Sequence, residues 1–151
     1  MQKFLIVDID GTISKVGDRL KYLECKPVDW DSFYEACFED EPIQEIIDMI
    51  NILSEEYAII FCTGRRESVR YKTEIWIDEK MSLFSDYSLL MRSDGDFRHD
   101  QEVKPELLNN FLTAYAIDNG KVALILEDRN SMVKKWRELG YKCLQVAEGD
   151  F

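Results

Sequence analysis

The sequence contains one histidine, His99, and four cysteines, Cys25, Cys37, Cys62 and Cys143, with no C-x-x-C among them. A structural zinc, which takes four His or Cys ligands in paired spacing, is therefore not expected. The thiols read instead as free, buried groups of a reducing compartment. No apolar run approaches the roughly 20 residues of a membrane span. Met1-Gln2-Lys3 leads straight into an apolar run without the anatomy of a leader peptide. The expectation is a cytoplasmic chain with no membrane partner. Basic residues are scarce: 19 Lys and Arg face 30 Asp and Glu, for a formal charge of −11. That opposes non-specific adhesion to nucleic acid, because counterion release needs a basic surface. No G-x-x-x-x-G-K-[ST] occurs, so no P-loop and no kinase half is expected. Internal repeats, low-complexity tracts and linkers are also missing.

What remains is dense in apolar residues, at 46%, too many for global disorder. A length of 151 residues suits one domain, 1–151, burying about 70% of its unfolded surface. Phe4-Leu5-Ile6-Val7 is a continuous apolar run, expected as a buried strand over 3–8. Residues 14–28 read as a loop or small flap. Trp30, Phe33, Tyr34 and Cys37 recur at helical spacing and read first as core packing. Glu41-Pro42 opens a helix with Ile43, Ile46, Ile47, Ile50 and Leu53 on one face. A strand over 57–61, a helix over 67–79 and a strand over 87–91 follow, then a polar loop over 92–101. Lys104-Pro105 is expected to start a helix with Leu107, Leu108, Phe111, Leu112 and Tyr115 buried. A strand over 122–126, a helix capped by Asn130 and stopped at Gly140, and a strand over 141–146 complete the pattern. Alternating strands and helices predict an α/β fold with an open, mostly parallel five-stranded sheet. Strand order 3-2-1-4-5, with helices on both faces, puts the first strand at the centre.

In such sheets ligands bind outside the carboxyl ends of the strands. Asp8 and Asp10 follow the first strand, Thr63 the second, and Glu127 and Asp128 the fourth, with Lys104 at a loop-to-helix junction. A lone D-x-D is as readily a solvated turn, a lone Lys a surface residue, and a lone T-G-R a turn. It is the conjunction at neighbouring strand ends that points to phosphoryl transfer, which needs a nucleophile, charge neutralisation and a proton for the leaving group. Asp8 is the candidate nucleophile through an aspartyl-phosphate, and Asp10 the acid and base. Asp8 and Asp128 are hard oxygen ligands for Mg²⁺, with Glu127 placed to hold a metal-bound water and Asp10 counted in the same acidic set. The Thr63 hydroxyl and amides near Gly64 can donate to phosphate oxygens. Lys104 offers a fixed positive charge. Arg19, Arg65, Arg66, Arg98 and His99 lie in the adjoining loops and read as a local electropositive mouth. The flap over 14–40 is too short for a large closing cap.

Asp8-Ile9-Asp10-Gly11-Thr12, Cys62-Thr63-Gly64-Arg65, Lys104-Pro105 and Glu127-Asp128-Arg129 together resemble the four motifs of the haloacid dehalogenase (HAD) phosphatase superfamily. Arg19, Thr63-Gly64-Arg65-Arg66-Glu67, Arg98-x-Asp100-x-x-x-Lys104, Trp136-Arg137-x-Leu139-Gly140 and the ending Cys143 through Phe151 are similar to the 3′-phosphatase domain of phage-type polynucleotide kinase/phosphatase. The resemblance implies a HAD-like Rossmannoid domain with a minimal cap. It implies Asp8, Asp10, Thr63 and Lys104 as catalytic residues, Arg19, Gly64, Arg65, Arg98 and Asp100 as substrate or phosphate contacts, and Asp8, Asp10, Glu127 and Asp128 around Mg²⁺. Glu127 stands where such domains more often carry Asp. The implied substrate is a 3′-phosphorylated RNA or DNA end, with 2′,3′-cyclic phosphate as a second candidate, and the implied partner a separate kinase or ligase. A phage-encoded chain would work in the host cytoplasm. Two rivals stand beside this reading: a nucleotidase or small-metabolite phosphatase of the same superfamily, and a non-catalytic partner of a separate kinase or ligase.

Overall fold

The computed structural model describes residues 1–150. In chain order the elements are β1 (Lys3–Val7), α1 (Leu20–Leu23), α2 (Trp30–Glu35), α3 (Gln44–Leu53), β2 (Tyr57–Arg66), α4 (Arg70–Lys80), β3 (Ser88–Arg92), α5 (Asp100–Ala114), β4 (Val122–Arg129), α6 (Asn130–Glu138) and β5 (Cys143–Gly149). The five strands form one sheet in the order β3-β2-β1-β4-β5, and every pairing is parallel. This is the α/β architecture expected from the sequence.

The period of two along each strand sorts the core into two layers. Leu5, Val7, Ile59, Phe61 and Leu126 face α3 and α4 and pack with Ile47, Ile50, Trp76 and Ile77. Ile6, Ile60, Cys62 and Ile125 face the other way, onto Leu108 and Leu112 of α5 and Met132, Val133 and Trp136 of α6. Each such side chain, fully buried, is worth about 1.5–3 kcal/mol of transfer free energy, so slipping β1 by one residue would exchange both layers at once. Val7 pairs with Phe61 on one side and Leu126 on the other. Asp8, Cys62 and Glu127, the next residues on three neighbouring strands, therefore stand at one level.

Several boundaries differ from the sequence expectation. β2 and β4 run beyond their apolar stretches to Arg66 and Arg129, with register irregularities against their neighbours near those ends. α5 begins at Asp100, not Lys104, because the His99 carbonyl accepts from the N–H of Glu102 and Val103 and two acids favour that first turn. Pro105 lies inside the helix. Lys104 consequently shares a buried face with Leu108, one turn on. Asn130 is the first residue of α6 and gives it no side-chain cap; its carboxamide oxygen instead accepts from Gln145 at 2.6 Å. Gly140 does end the helix, at φ +89°. α3 begins after Pro42, because residues 41–43 pair with 13–15: Ile43 donates to the Ile13 carbonyl and Lys15 to that of Glu41, each at 2.8 Å. The chain between these pairings leaves the sheet and returns to the same place, forming a small cap built on α1 and α2. Cys37, Cys62 and Cys143 are buried as expected, but Cys25 is exposed.

The two large buried indoles differ in one respect. Trp76 Nε1 donates to the Asp40 carbonyl at 2.8 Å, whereas Trp136 Nε1 has no hydrogen-bond partner. Trp76→Phe strands a buried carbonyl and Trp136→Phe does not. In urea unfolding, Trp76→Phe is expected to lose about 1–2 kcal/mol more than Trp136→Phe. Equal losses would contradict the assigned bond.

Candidate active site

Asp8 follows the last residue of β1, and its N–H donates to the Leu126 carbonyl at 3.0 Å. Its carboxylate accepts from Lys104 Nζ at 2.6 Å and from the Thr12 hydroxyl at 2.9 Å. Lys104 Nζ also donates to Glu127 at 2.9 Å. Asp8, Glu127 and Asp128 offer carboxylate oxygens that all lie within 4.8 Å of one another. All are buried, as is Lys104. Gly11 admits this approach: it sits at φ +87°, and a Cβ there would lie 2.1 Å from Asp128 Oδ2.

Three acids share one ammonium, and their proton affinities reflect it. Burial, then the Glu127 charge, push Asp8 up to about 7 against the pull of Lys104. Burial and Asp8 push Asp128 up to about 6. Burial also raises Glu127, against Lys104. Burial opposes the Lys104 ammonium, but Asp8 and Glu127 overcome it and hold the group well above its ordinary value. A cluster of hard oxygen donors with surplus negative charge fits a divalent cation, which would relieve the repulsion. Glu127 is the least available donor. Its Oε2 accepts from Lys104, and its Oε1 accepts from the N–H of Asp128 and Arg129.

Asp10, a metal ligand by the sequence expectation, lines the same cleft, with its carboxylate outside the three-acid cluster. It accepts from Arg19 Nη2 at 2.6 Å and from Arg65 Nη2 at 2.7 Å. Burial works against its charge, but Arg65 and Arg19 hold Asp10 well below the usual carboxylate range. Both arginines also reach Asp40, Arg19 through Nε at 2.7 Å and Arg65 through Nη2 at 3.2 Å. The Ser14 hydroxyl donates to Asp40 as well.

The sequence placed Arg19 and Arg65 at an electropositive mouth. The structure buries them under it, at 3% and 0% exposure, and neither lines the cleft, of about 410 Å³, that opens over the strand ends. The other expected residues, Asp8, Asp10, Thr63, Gly64, Arg98, Asp100, Lys104, Glu127 and Asp128, do line it. Thr63 accepts the Arg65 N–H at 3.1 Å. Arg98 is drawn off by Asp96 and Glu106, each at 2.9 Å. Asp100 is clamped between Arg92 and Arg129 and approaches Gly64 so closely that a Cβ there would meet its Oδ1 at 2.6 Å. Sequence reasoning passed over Asp40, Ser14 and Arg92. Asp40 is one of seven acids in residues 14–40, and no sequence signal sets it apart from the others.

The family model of the polynucleotide kinase PNKP phosphatase domain matches residues 2–151; Phe151 lies outside the described residues. A chain in the solved Pnkp1/Rnl/Hen1 complex is 32% identical over all of this chain and 47% of its own length, with a TM-score of 0.77. A chain in the Pnkp1/Rnl/Hen1 RNA repair complex is 30% identical, over 100% and 44%, with a TM-score of 0.74. The chain thus spans less than half of either. A haloacid dehalogenase-like hydrolase from Streptococcus pneumoniae shares the fold, with a TM-score of 0.63, 15% identity and coverage of 95% and 84%.

Removing Arg65 would leave Asp10 and Asp40 facing each other with Arg19 alone between them. Arg65→Met is expected to cost about 3–5 kcal/mol of unfolding free energy, the range for breaking a buried ion pair. Arg98→Ala, on the surface, is expected to leave the denaturation midpoint unchanged. Similar midpoints for both variants would contradict the buried network.

Proposed function

The chain belongs to the family of polynucleotide kinase PNKP phosphatase domains, within the HAD superfamily, and from that premise we propose that it removes 3′-phosphate from RNA or DNA ends with Mg²⁺. The observation that carries this reading is Asp8, held at a strand end by Lys104 and Thr12 beside Glu127 and Asp128, under a cap of only two short helices. A cap of that size leaves room for a polymer end. The matched chains occur in a Pnkp1/Rnl/Hen1 complex, which supports a repair assembly with a kinase or ligase partner for this chain too.

In this reading an Asp8 oxygen attacks phosphorus, the P–O bond to the ribose 3′-oxygen breaks, and that oxygen leaves as a hydroxyl with a proton from Asp10. Water then attacks the same phosphorus while Asp10 takes its proton; the bond to Asp8 breaks and inorganic phosphate departs. Arg19 and Arg65 keep resting Asp10 ionised, which suits the second half. For the first half Asp10 takes the proton that the substrate brings, since a phosphate monoester keeps one at and below about pH 6, and passes it to the leaving oxygen. Lys104 orients Asp8 and offsets its charge against the incoming phosphate, and Thr63 lies on the cleft wall to donate to a phosphate oxygen. Asp8 and Asp128 would hold the Mg²⁺, which supplies neutralisation of the phosphate charge when bound.

Phosphate release from 3′-phosphorylated RNA and DNA oligonucleotides, a 3′-mononucleotide and an aryl phosphate tests this. Oligonucleotides are expected to be the best substrates, Asp8→Asn to abolish release, and Asp10→Asn to lower kcat about 10²–10⁴-fold. Cleavage of the small esters alone would favour a nucleotidase or metabolite phosphatase, and no release at all a binding partner. Mg²⁺ at a hundred times its Kd is expected to stabilise the chain by about 2.7 kcal/mol. Asp128→Asn is expected to abolish that gain, and a Mg²⁺ response that survives in this variant would move the metal elsewhere.

A further inference from the structure

Phe97 is 78% exposed and Trp30 43% exposed, yet both line the cleft that contains Asp8. They come from different parts of the fold. Trp30 belongs to α2 of the cap, and Phe97 to the loop between β3 and α5. Trp30 stacks on Tyr34 at a centroid distance of 6.1 Å and meets Phe33 edge-on at 5.9 Å. Tyr34 in turn donates its hydroxyl to the Gly64 carbonyl at 3.3 Å. The loop is anchored too. The buried Arg92 guanidinium donates to the carbonyls of Asp96 at 3.0 Å and Arg98 at 2.7 Å, on either side of Phe97, and to that of Gly64 at 3.0 Å. Arg66 bridges the two sides: its guanidinium carbon lies 5.2 Å from the Tyr34 ring and 5.6 Å from the Phe97 ring.

An exposed phenylalanine on a tied-down loop contributes nothing to the core. At a net charge of −11, and with Arg19 and Arg65 buried, the arginines that line the cleft, Arg66, Arg92, Arg98 and Arg129, are each paired with an acid of this chain. Open π faces instead suit the uncharged part of a nucleotide. Base–aromatic stacking is strong and tolerant of sequence, since every base has a π face.

Resting on the phosphatase reading above, we propose that Phe97 and Trp30 form a stacking platform for the base of the terminal nucleotide, making a single-stranded end the preferred substrate. A base already stacked in a duplex would have to be unstacked first, so a duplex terminus enters less readily.

The test compares kcat/KM for a single-stranded 3′-phosphorylated oligonucleotide with that for the same strand whose terminal nucleotide is abasic. The natural chain is expected to prefer the base by about 5- to 150-fold, the fold-change that stacking of one base supports. Phe97→Ala and Trp30→Ala are expected to bring the ratio toward one, and Phe97→Tyr to keep it. Trp76 and Trp136 are buried, so Trp30 emission in the Asp8→Asn chain is expected to be quenched by the base-bearing strand and not by the abasic one. A ratio near one in the natural chain, a ratio that survives both alanine variants, or equal quenching by both strands overturns the platform and leaves the phosphatase reading intact. Release from an aryl phosphate but from no oligonucleotide overturns both.

Discussion

The contact between Lys104 and Asp8 is what allows three carboxylates to meet at the end of a central strand. The parallel sheet delivers Asp8 and Glu127 to one level, with Asp128 the next residue on, because β1 and β4 are paired in a register that both apolar layers enforce. Unanswered, that convergence would oppose folding. Lys104 reaches it from α5, one turn before Leu108 on the same buried face, so the packing that seats the helix also aims the ammonium. Lysine answers only part of the charge. Asp8 and Asp128 remain pushed upward, to about 7 and about 6, and the surplus negative charge of the cluster suits a divalent cation.

Two residues further on, the chemistry reverses. Asp10 has two guanidinium groups where Asp8 has one shared ammonium, and it is held low while Asp8 is held high. Environments that drive neighbouring acids apart are how one site assigns them different roles. The cap takes part in this separation. Asp40 closes the arginine network from the far end of the 14–40 segment, and Trp76 fixes the Asp40 backbone from α4. The cap is therefore an electrostatic component of the site as well as its roof.

Much of this could be read in the residues. Apolar runs ending in acids, alternating with helical faces, dictate a parallel sheet whose strand ends converge, and Asp8 and Asp128 follow from that logic. Other features were hidden for physical reasons. Charged side chains default to solvent, so Arg19 and Arg65 read as a surface mouth; their burial depends on Asp40, which lies distant in sequence and outside any periodic pattern. Lys104-Pro105 reads as a helix start because proline favours the first turn, but Asp100 and Glu102 set the start earlier. Phe97 is a lone aromatic in a polar loop, and its setting emerges only from the bonds that Arg92 makes around it.

The central claim is that Asp8 carries the phosphoryl group between two displacement steps. Acid-quenching the chain during steady turnover of a 3′-phosphorylated oligonucleotide, followed by peptide mass mapping, tests it directly. The account predicts a phosphoryl group on the peptide containing Asp8, absent from the Asp8→Asn chain. Rapid phosphate release with no phosphorylated peptide, or with the group on another residue, would contradict it.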